Sequence, residues 1–557
     1  MDAWARVVAA APRNLEARVA LGHALAHAGR FPEAVDAFGQ AAAYGLPTDA
    51  VAAGLGFTFC VRQQYDVACE SLEFAVASNP RNLQAWSNLV VASARSGRVS
   101  RAIAAANIVL AEQPNNLSVL GALGSLYKDS GRADEAAAWW QRAAAAAPDD
   151  PKQISNWLWA LLHADHAGPE ELLARGRDFD ARASVRVPAK DGWKPRARRA
   201  DAPLRVGWLS GDLRDHAVGR FVIPVLEHLD AARMESFVYA TSHFFDAESE
   251  RAKGAVRGWR NVANLSDEQL VAAARADTLD VIVDLAGHTD GSRLAALARR
   301  VAPAQVSWLG YPGTTGLRSM DYVLVPPDPV LLEGKWCSEA PLALPDCYCA
   351  RDVSRRPLET PATPSRVRGH FTFGCLNNFS KVGPGCVAAW SRILLALPTS
   401  RLVLVVSGSQ DRSRAADVHA RFAEHGVAPA QLDVRERMDF DAYMHTWREL
   451  DLALDPFPFN GGTTGFDSLC AGVPFATVGG PSLHQRMGTN LLKAVGLDAL
   501  AFETVDAYVE GAIACARGPD ELGALRDHLH RTLPSSALVD PRRFARGLEK
   551  LFTALAR

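Results

Sequence analysis

The first 150 residues carry a pattern of small, apolar and turn-forming positions that repeats every 34 residues. The small apolar position of each repeat is occupied by Ala34, Ala68, Ala102 and Ala136. Other members of the pattern keep the same spacing or a multiple of it: Pro12, Pro80, Pro114, Pro148, Gly29, Gly97 and Gly131. A small residue lets two helices cross closely, while glycine and proline end helices. The pattern therefore predicts an array of helix pairs.

A period of 34 residues is that of the tetratricopeptide repeat, which builds an extended surface for holding protein or peptide. We assign residues 1–150 to these repeats. In the second unit Gln63 replaces the glycine, so we expect that turn to differ while the helices survive. Residues 151–203 are interpreted as capping or adaptor helices and a linker, because residues 187–204 are basic, rich in proline and without apolar periodicity.

From residue 204 onwards, short apolar runs of strand-forming residues alternate with helical segments. The runs cover residues 204–210, 236–242, 280–287, 371–377, 401–408, 431–437, 450–457 and 473–480. Such alternation is typical of doubly wound parallel sheets, whose ligands bind beyond the carboxyl ends of strands. A polar stretch at residues 351–370 divides the runs into two sets. We therefore expect two Rossmann-like domains, 204–365 and 366–557, in the GT-B arrangement of many nucleotide-sugar glycosyltransferases.

The composition of the chain argues against a nucleic-acid-binding protein, a membrane protein and a secreted protein. A net charge of -2 and a pI near 6.7 give no electrostatic reason to expect a nucleic-acid partner. No apolar run reaches the roughly 18 residues of a membrane helix, and the first 20 residues contain no secretory segment. The nine cysteines are odd in number and scattered, as in a reduced cytosolic protein. We expect a cytoplasmic protein without a transmembrane segment.

The stretch PFNGGTTGFDSLCAGVPF indicates a glycine-rich turn between a strand and a helix. Gly461 and Gly462 let the backbone come close to a ligand. Thr463 and Thr464 place hydroxyls and amides at a helix N-terminus, where a phosphate is stabilised. Asp467 follows one turn later and could accept hydrogen bonds from ribose hydroxyls. A plain helix with Thr463 as its N-cap would explain the same residues.

Five motifs behind the repeats resemble the O-linked N-acetylglucosamine transferase family in its bacterial form. They are SGDLRDHAVGRF (210–221), DLAGHTDGSR (284–293), APAQVSWLGYPGTTGLRSMDY (302–322), FGCLNNFSKVGP (373–384) and DPFPFNGGTTGFDSLCAGVP (455–474). The resemblance covers essentially the whole chain. It implies a tetratricopeptide superhelix joined to a GT-B catalytic region, and inverting, metal-independent transfer of N-acetylglucosamine from UDP-GlcNAc to Ser or Thr hydroxyls of proteins. No cofactor is implied.

The resemblance also implies roles for single residues. His216 matches a histidine proposed as general base, for which imidazole has a suitable pKa, although an Asp or a water relay is an alternative. Lys381 matches an essential lysine that stabilises the charge on departing UDP. No Asp-x-Asp motif stands where a metal clamp would be expected, so lysine, threonine hydroxyls and a helix N-terminus replace Mg²⁺. Asn378 matches an amide near the pyrophosphate and ribose, and Tyr443 matches a residue against the uracil.

Two further groups of residues are candidates by position. Candidate contacts to the acceptor or donor sugar are His288, Tyr311, Pro312, Gly313 and Thr314. Candidate phosphate contacts, with structural roles equally open, are His484 and Arg486.

The expected partners are a UDP-sugar donor and protein or peptide acceptors along the groove of the repeats. Three alternatives stay open: another donor such as GDP-fucose or UDP-glucose, an Asn acceptor, or a non-catalytic scaffold that binds nucleotide sugar. The basic, amphipathic helix predicted at residues 541–557 is expected to pack back across the catalytic domains.

Overall fold

The structure, a computed structural model, describes residues 2–185, 193–194, 202–353, 363–406 and 413–556. Most of the predicted linker at 187–204, part of the polar stretch at 351–370 and the end of the predicted strand at 401–408 lie outside these residues. The described residues form two compact units. The first holds residues 2–130, 135–147 and 413–417, and the second holds the others.

Helices follow one another through the first 146 residues, as the 34-residue pattern predicts. In chain order, α1 to α9 span Asp2–Ala10, Leu15–His27, Phe31–Ala43, Thr48–Val61, Tyr65–Ser78, Leu83–Arg95, Val99–Glu112, Leu117–Asp129 and Ala133–Ala146. The four alanines of the pattern, at positions 34, 68, 102 and 136, are completely buried. Close crossing is also visible at Gly54, where an added Cβ would lie 2.3 Å from the Phe38 ring. Small residues therefore set how closely the repeat helices pack.

The turn of the second repeat keeps the geometry of the others without a glycine. The φ angle is +62° at Gln63 and +75° at Gly29. The N–H of Gln64 donates to the Phe59 carbonyl at 2.9 Å, which is the bond that the residue after Gly29 also makes to its own helix. The expectation of a different turn was wrong. A residue in the left-handed conformation lets the following N–H groups bond to the last carbonyls of the helix. The exposed Gln63 adopts this conformation although glycine is the residue that usually does so.

Beyond residue 150, two helices precede a series of strands and helices. Helices α10 and α11 span Pro151–Leu161 and Pro169–Ser184. In chain order, β1 to β13 span Leu204–Ser210, Met234–Ala240, Gly258–Asn261, Val281–Asp284, Ala304–Ser307, Tyr322–Val325, Ala340–Ala343, Thr372–Cys375, Arg401–Val406, Leu432–Glu436, Leu452–Leu454, Phe475–Val478 and Ala501–Phe502. Helices α12 to α25 span Ala217–Leu226, Ala247–Gly254, Asp267–Ala276, Leu294–Leu297, Pro329–Leu332, Ser365–Arg368, Pro384–Ala396, Ser413–Ala423, Phe440–Trp447, Thr463–Cys470, Met487–Lys493, Val505–Arg517, Pro519–Thr532 and Pro541–Leu555.

The described strands form two parallel sheets. Their orders are β3-β2-β1-β4-β5-β6-β7 and β10-β9-β8-β11-β12-β13. In the first sheet Val206 pairs with Val281, and in the second Leu402 pairs with Leu432. Helices cover both faces of a parallel sheet, which is why β1 reads as a nearly continuous buried run. The strand order reverses between β1 and β4 and between β8 and β11. Loops that leave the carboxyl ends of such strands diverge and open a crevice.

Helix α25 packs onto the first sheet, as its amphipathic pattern predicts. The Phe544 ring stacks on Trp308 with centroids 5.6 Å apart, and the Phe552 ring lies 6.2 Å from Trp208. Glu549 is 1% exposed and accepts the Asp230 N–H at 2.7 Å. The last described helix thus belongs to the core of the second unit.

The predicted fold class is confirmed: helical repeats precede a pair of parallel α/β sheets. None of the helices in the described part of the chain is long and apolar enough to cross a bilayer.

The repeat packing can be tested on α7. Ala102→Leu should lower the free energy of unfolding by about 1–3 kcal/mol, because the added carbons have no room at a helix crossing. The matched control is Ala104→Leu, an exposed position of the same helix, which should change stability by less than about 0.5 kcal/mol. Urea unfolding measures both, and equal effects would contradict close packing at the 34-residue alanine.

Candidate active site

A cavity of about 160 Å³ lies between loops that leave the two sheets. Its wall includes His216, Val218, Phe221, Leu309 and Pro312 from the side of the first sheet, and Lys381, Phe459, Gly462, Thr463, Met487 and Asn490 from the side of the second. Three of these residues follow strands at the two crevices: His216 follows β1, Lys381 follows β8 and Thr463 follows β11. The cavity therefore occupies the place where parallel sheets bind ligands.

His216 is the N-cap of α12. Its Nδ1 lies 3.3 Å from the Val218 N–H and 3.6 Å from the Asp212 carboxylate. Burial lowers the pKa of His216, which favours the neutral imidazole near neutral pH. If Nδ1 carries the proton and faces Asp212, Nε2 is free to accept a proton. If Nδ1 accepts from Val218, Nε2 is a donor instead.

Lys381 ends a 3₁₀ turn that spans Phe379–Lys381. Its Nζ donates to the Asn460 carbonyl at 2.7 Å and lies 4.0 Å from the centroid of the Phe459 ring. Burial lowers the pKa of Lys381, while the nearby Asp455 carboxylate opposes the shift. Asn378 precedes this turn, and its place near the pyrophosphate and ribose stays a prediction. Its exposed side chain accepts the Ser380 N–H at 3.1 Å, so it caps the turn that carries the lysine and does not line the cavity.

Asp455 is a buried site residue that the sequence reasoning did not single out. It follows β11, and its carboxylate accepts the Gly461 N–H and the Thr477 hydroxyl, both at 2.7 Å. Burial raises the pKa of Asp455 and Lys381 lowers it. A carboxylate directly after an apolar strand, inside DPFPFNGG, is the signal that could have identified it. One buried acid thus holds the glycine turn and faces the lysine.

The glycine-rich turn leads into α21, which begins at Thr463 as predicted. Gly462 supplies no side-chain cap, so Thr463 is the first helical residue and not the N-cap. Gly462 and Thr463 line the cavity, whereas Thr464 lines a separate small cavity beside Asp455. An added Cβ at Gly461 would lie 2.8 Å from Asp455 Oδ1, so only glycine fits there. The uncapped amides of this helix can bind an anion.

Tyr443 and Asp467 lie together, and neither lines the cavity. The Tyr443 hydroxyl donates to Asp467 Oδ2 at 3.1 Å, and Arg351 Nη1 lies 2.7 Å from Asp467 Oδ1. Asp467 is 2% exposed. Its carboxylate already has two partners in this structure. The sequence does not single out Arg351, because it is one of several arginines in the polar stretch that joins the two sets of strands.

The WLGYPGTTG loop brings Pro312 to the cavity, but the other candidates of this loop and His288 are not part of the cavity wall. The ring nitrogens of His288 bond to the Ser155 hydroxyl at 2.8 Å and the Thr315 carbonyl at 2.9 Å. Burial lowers the pKa of His288 to about 4. Thr314 donates to buried Glu339 at 2.8 Å. Both side chains are buried and hydrogen-bonded within the fold, and neither lines this cavity, so their contact with a sugar stays a prediction.

Tyr311 and Gly313 pack against each other and are not part of this cavity wall. Tyr311 is 2% exposed, and an added Cβ at Gly313 would lie 2.8 Å from its ring. The Tyr311 ring lies edge-on to His288 at 5.0 Å. These two residues shape the loop that presents Pro312, and their contact with a sugar stays a prediction.

The two candidate phosphate contacts are also buried. Burial lowers the pKa of His484 to about 3, so this side chain is neutral and carries no charge for a phosphate. Arg486 is 4% exposed, and its Nε donates to Asp328 Oδ2 at 2.9 Å, with Asp328 itself completely buried. The Arg486 guanidinium thus links the second sheet region to the loop after β6, which favours the structural role, while a phosphate contact stays a prediction.

The described residues contain no group of three or more His, Cys, Asp or Glu side chains placed to hold a metal ion. Cys347 and Cys349 line the cavity, and all nine cysteines are free thiols. Burial raises the pKa of Cys347 to about 12, so this side chain is a neutral part of the wall. Metal-independent transfer stays a prediction.

The role of Arg486 can be tested by Arg486→Met. The variant should lose about 3 kcal/mol of unfolding free energy, because the buried Asp328 carboxylate loses its hydrogen-bonded cation. The remaining cation, Lys493 Nζ, lies 3.8 Å from Asp328. Arg392→Met is the control, since the Arg392–Asp506 pair is exposed and should contribute less than about 1 kcal/mol. Chemical denaturation measures stability, and calorimetry measures UDP binding. A large loss of UDP affinity at unchanged stability would support the phosphate contact at Arg486 instead.

Comparisons with known proteins give the same domain order. The tetratricopeptide repeat family matches residues 2–50, 61–117 and 94–151, and the glycosyl transferase family 41 matches residues 184–334 and 368–548.

Among curated relatives, proteins called probable UDP-N-acetylglucosamine–peptide N-acetylglucosaminyltransferase SPINDLY are similar to this chain. The Solanum lycopersicum protein is 31% identical over 417 residues, covering 74% of this chain and 45% of the relative. The Oryza sativa protein is 32% identical over 412 residues, covering 73% and 44%. The chain thus spans about half the length of the curated relatives it matches.

Among solved structures, a mutant of the Thermobaculum terrenum O-GlcNAc transferase matches with a TM-score of 0.83 and 28% identity. The match covers 92% of this chain and 98% of that one. With the family match extending over more than half of its residues, the chain belongs to glycosyl transferase family 41.

Proposed function

We propose that the protein is an inverting glycosyltransferase that moves N-acetylglucosamine from UDP-N-acetylglucosamine to Ser or Thr hydroxyls of proteins. The observation that carries the proposal is the convergence of His216, Lys381 and the N-terminus of α21 on one cavity between two parallel sheets. The names of the plant relatives and of the Thermobaculum terrenum enzyme specify transfer of this sugar.

The second sheet supplies the groups that suit a departing diphosphate. As the glycosidic bond breaks, negative charge grows on the nucleotide. The Lys381 ammonium and the uncapped amides at Thr463 are positive groups at the cavity wall that can stabilise this charge without a metal. Asp455 holds the Gly461 turn in place for this purpose.

The first sheet supplies the group that suits the acceptor. An inverting displacement needs the attacking hydroxyl and the leaving group on opposite faces of the sugar. His216 and Lys381 come from loops of different sheets on the same cavity, which fits this requirement. In the tautomer with Nδ1–H facing Asp212, His216 Nε2 takes the proton of the Ser or Thr hydroxyl as its oxygen attacks the anomeric carbon.

The repeats are proposed to bind the acceptor protein. Tetratricopeptide arrays carry no catalytic groups of their own and offer an extended surface for peptide segments. The match of three segments between residues 2 and 151 to this repeat family supports a protein acceptor over a small molecule.

The donor can be identified by thermal stability. UDP and UDP-N-acetylglucosamine should raise the melting temperature, because a ligand at a hundredfold excess over its Kd stabilises the folded state by about 2.7 kcal/mol. GDP-fucose and GDP are the comparison, and UDP-glucose tests the choice of sugar. Differential scanning fluorimetry measures the shifts. Stabilisation by GDP-fucose with none by UDP compounds would replace the uridine donor with a guanosine one.

The two catalytic candidates can be separated by their effects on turnover. Lys381→Met should lower the rate about a hundredfold or more with either protein or water as acceptor, because it removes charge stabilisation of the leaving group. His216→Ala should cost about 10² to 10⁴ towards protein hydroxyls if His216 is the base. The matched control is Lys335→Met, whose lysine is 84% exposed and should be dispensable. Full turnover of Lys381→Met, followed by nucleotide release, would remove Lys381 from the site.

A further inference from the structure

The Lys381 ammonium lies against an aromatic face inside the cavity wall. Nζ is 4.0 Å from the centroid of the Phe459 ring, and the neighbouring Asn460 carbonyl accepts one of its N–H bonds at 2.7 Å. An ammonium has three N–H donors. Cation–π attraction is strongest where water is excluded, and Phe459 is 5% exposed. The ring thus replaces part of the hydration that the cation loses on burial.

The other titratable groups that face Lys381 come from three elements. The Asp455 carboxylate after β11 favours the charged lysine, and its own pKa is raised by burial. The Cys375 thiol at the end of β8 is neutral, since burial raises its pKa to about 12. His484 is also neutral. The cation therefore depends on one shared carboxylate, one carbonyl and the Phe459 ring.

Helix α10, which precedes both sheets in the chain, holds that ring. Trp159 on α10 and His163 in the turn that follows α10 contact the Phe459 ring edge-on, with centroids 5.7 Å and 4.7 Å away and interplanar angles of 88° and 71°. Trp159 also contacts Tyr311 of the first sheet region at 5.9 Å. Edge-to-face pairs of this kind fix ring orientation. The adaptor helix therefore reaches the residues that surround the lysine.

We propose that Phe459 is a positioning residue that keeps the Lys381 ammonium charged and oriented at the cavity, and that Trp159 on α10 and His163 in the turn after α10 hold the Phe459 ring for this task. The contribution to turnover rests on the proposed function of Lys381. The effect on the lysine itself does not, because it follows from the contacts of the ring alone.

The first experiment measures the lysine without any donor. Competitive acetylation of the full-length protein across pH, read by mass spectrometry of the peptide that contains Lys381, gives the pKa of this amine. Phe459→Leu keeps apolar volume but removes the aromatic face, so it should lower the pKa of Lys381 by about 0.5 to 1.5. Phe459→Tyr keeps the face and should restore the value of the natural protein. Phe422→Leu, which removes a buried ring from α19, is the control for general loss of packing.

The second experiment follows turnover of UDP-N-acetylglucosamine as a function of pH. Charged Lys381 is the active form, so the rate falls as pH rises through its pKa. Phe459→Leu should move this alkaline fall in rate to lower pH, by the same amount as the shift in the Lys381 pKa measured by labelling. Phe422→Leu should leave the pH of the fall unchanged. Trp159→Leu, which loosens the ring without removing it, should give a smaller shift in the same direction.

The outcomes separate the proposal from the proposed function. An unchanged Lys381 pKa in Phe459→Leu would overturn the role of the ring, whatever happens to activity. An unchanged pKa in Trp159→Leu would overturn the part assigned to α10, and this variant also tests the contact if Phe459→Leu does not fold. A shifted pKa together with full activity of Lys381→Met would support the ring contact and reject the catalytic use of the lysine.

Discussion

Parallel strand pairing is the constraint on which the rest of this structure depends. Each parallel sheet brings its strand ends to one edge and must be covered by helices on both faces. Reversal of strand order at β1/β4 and at β8/β11 makes the neighbouring loops diverge at that edge. The loops with His216, Lys381 and the start of α21 leave those strands, so the chemistry of the site follows from the topology of two sheets.

The residues on the second sheet's side of the cavity compensate for the burial of one cation, Lys381. The Lys381 ammonium loses hydrating water on burial. The Asp455 carboxylate, the Asn460 carbonyl and the Phe459 ring take the place of that water. Asp455 also holds the Gly461 N–H. The lysine and the glycine-rich turn therefore share one carboxylate, so a change at Asp455 would disturb both.

Contacts from outside the two sheets explain why several motif residues have structural roles. Helices α10 and α11 pack on the WLGYPGTTG region. Ser155 bonds to His288, the Asp180 carboxylate accepts from Arg318 at 2.6 Å, and Gly176 leaves room for Gly316. These contacts anchor the loop that presents Pro312. Residues of the WLGYPGTTG motif can thus serve to pack the adaptor helices, and each of them need not contact a ligand.

The sequence by itself determined the helix pairs, the order of repeats and parallel sheets, and the start of α21 at Thr463. These features follow from local rules: a 34-residue period, alternation of apolar runs with helices, and a glycine-rich turn before a helix. Short strands such as β3 and β7 were not predicted, because runs of four residues acquire strand character only from a paired neighbour. The partners of single polar residues were decided by the tertiary structure. Asp328 pairs with Arg486, which is 158 residues away in the sequence, and Trp159 contacts Phe459, which is 300 residues away. No local sequence pattern predicts such contacts. Whether a motif residue faces a cavity or the core depends on such distant neighbours, because burial and ion pairing are properties of the packed chain.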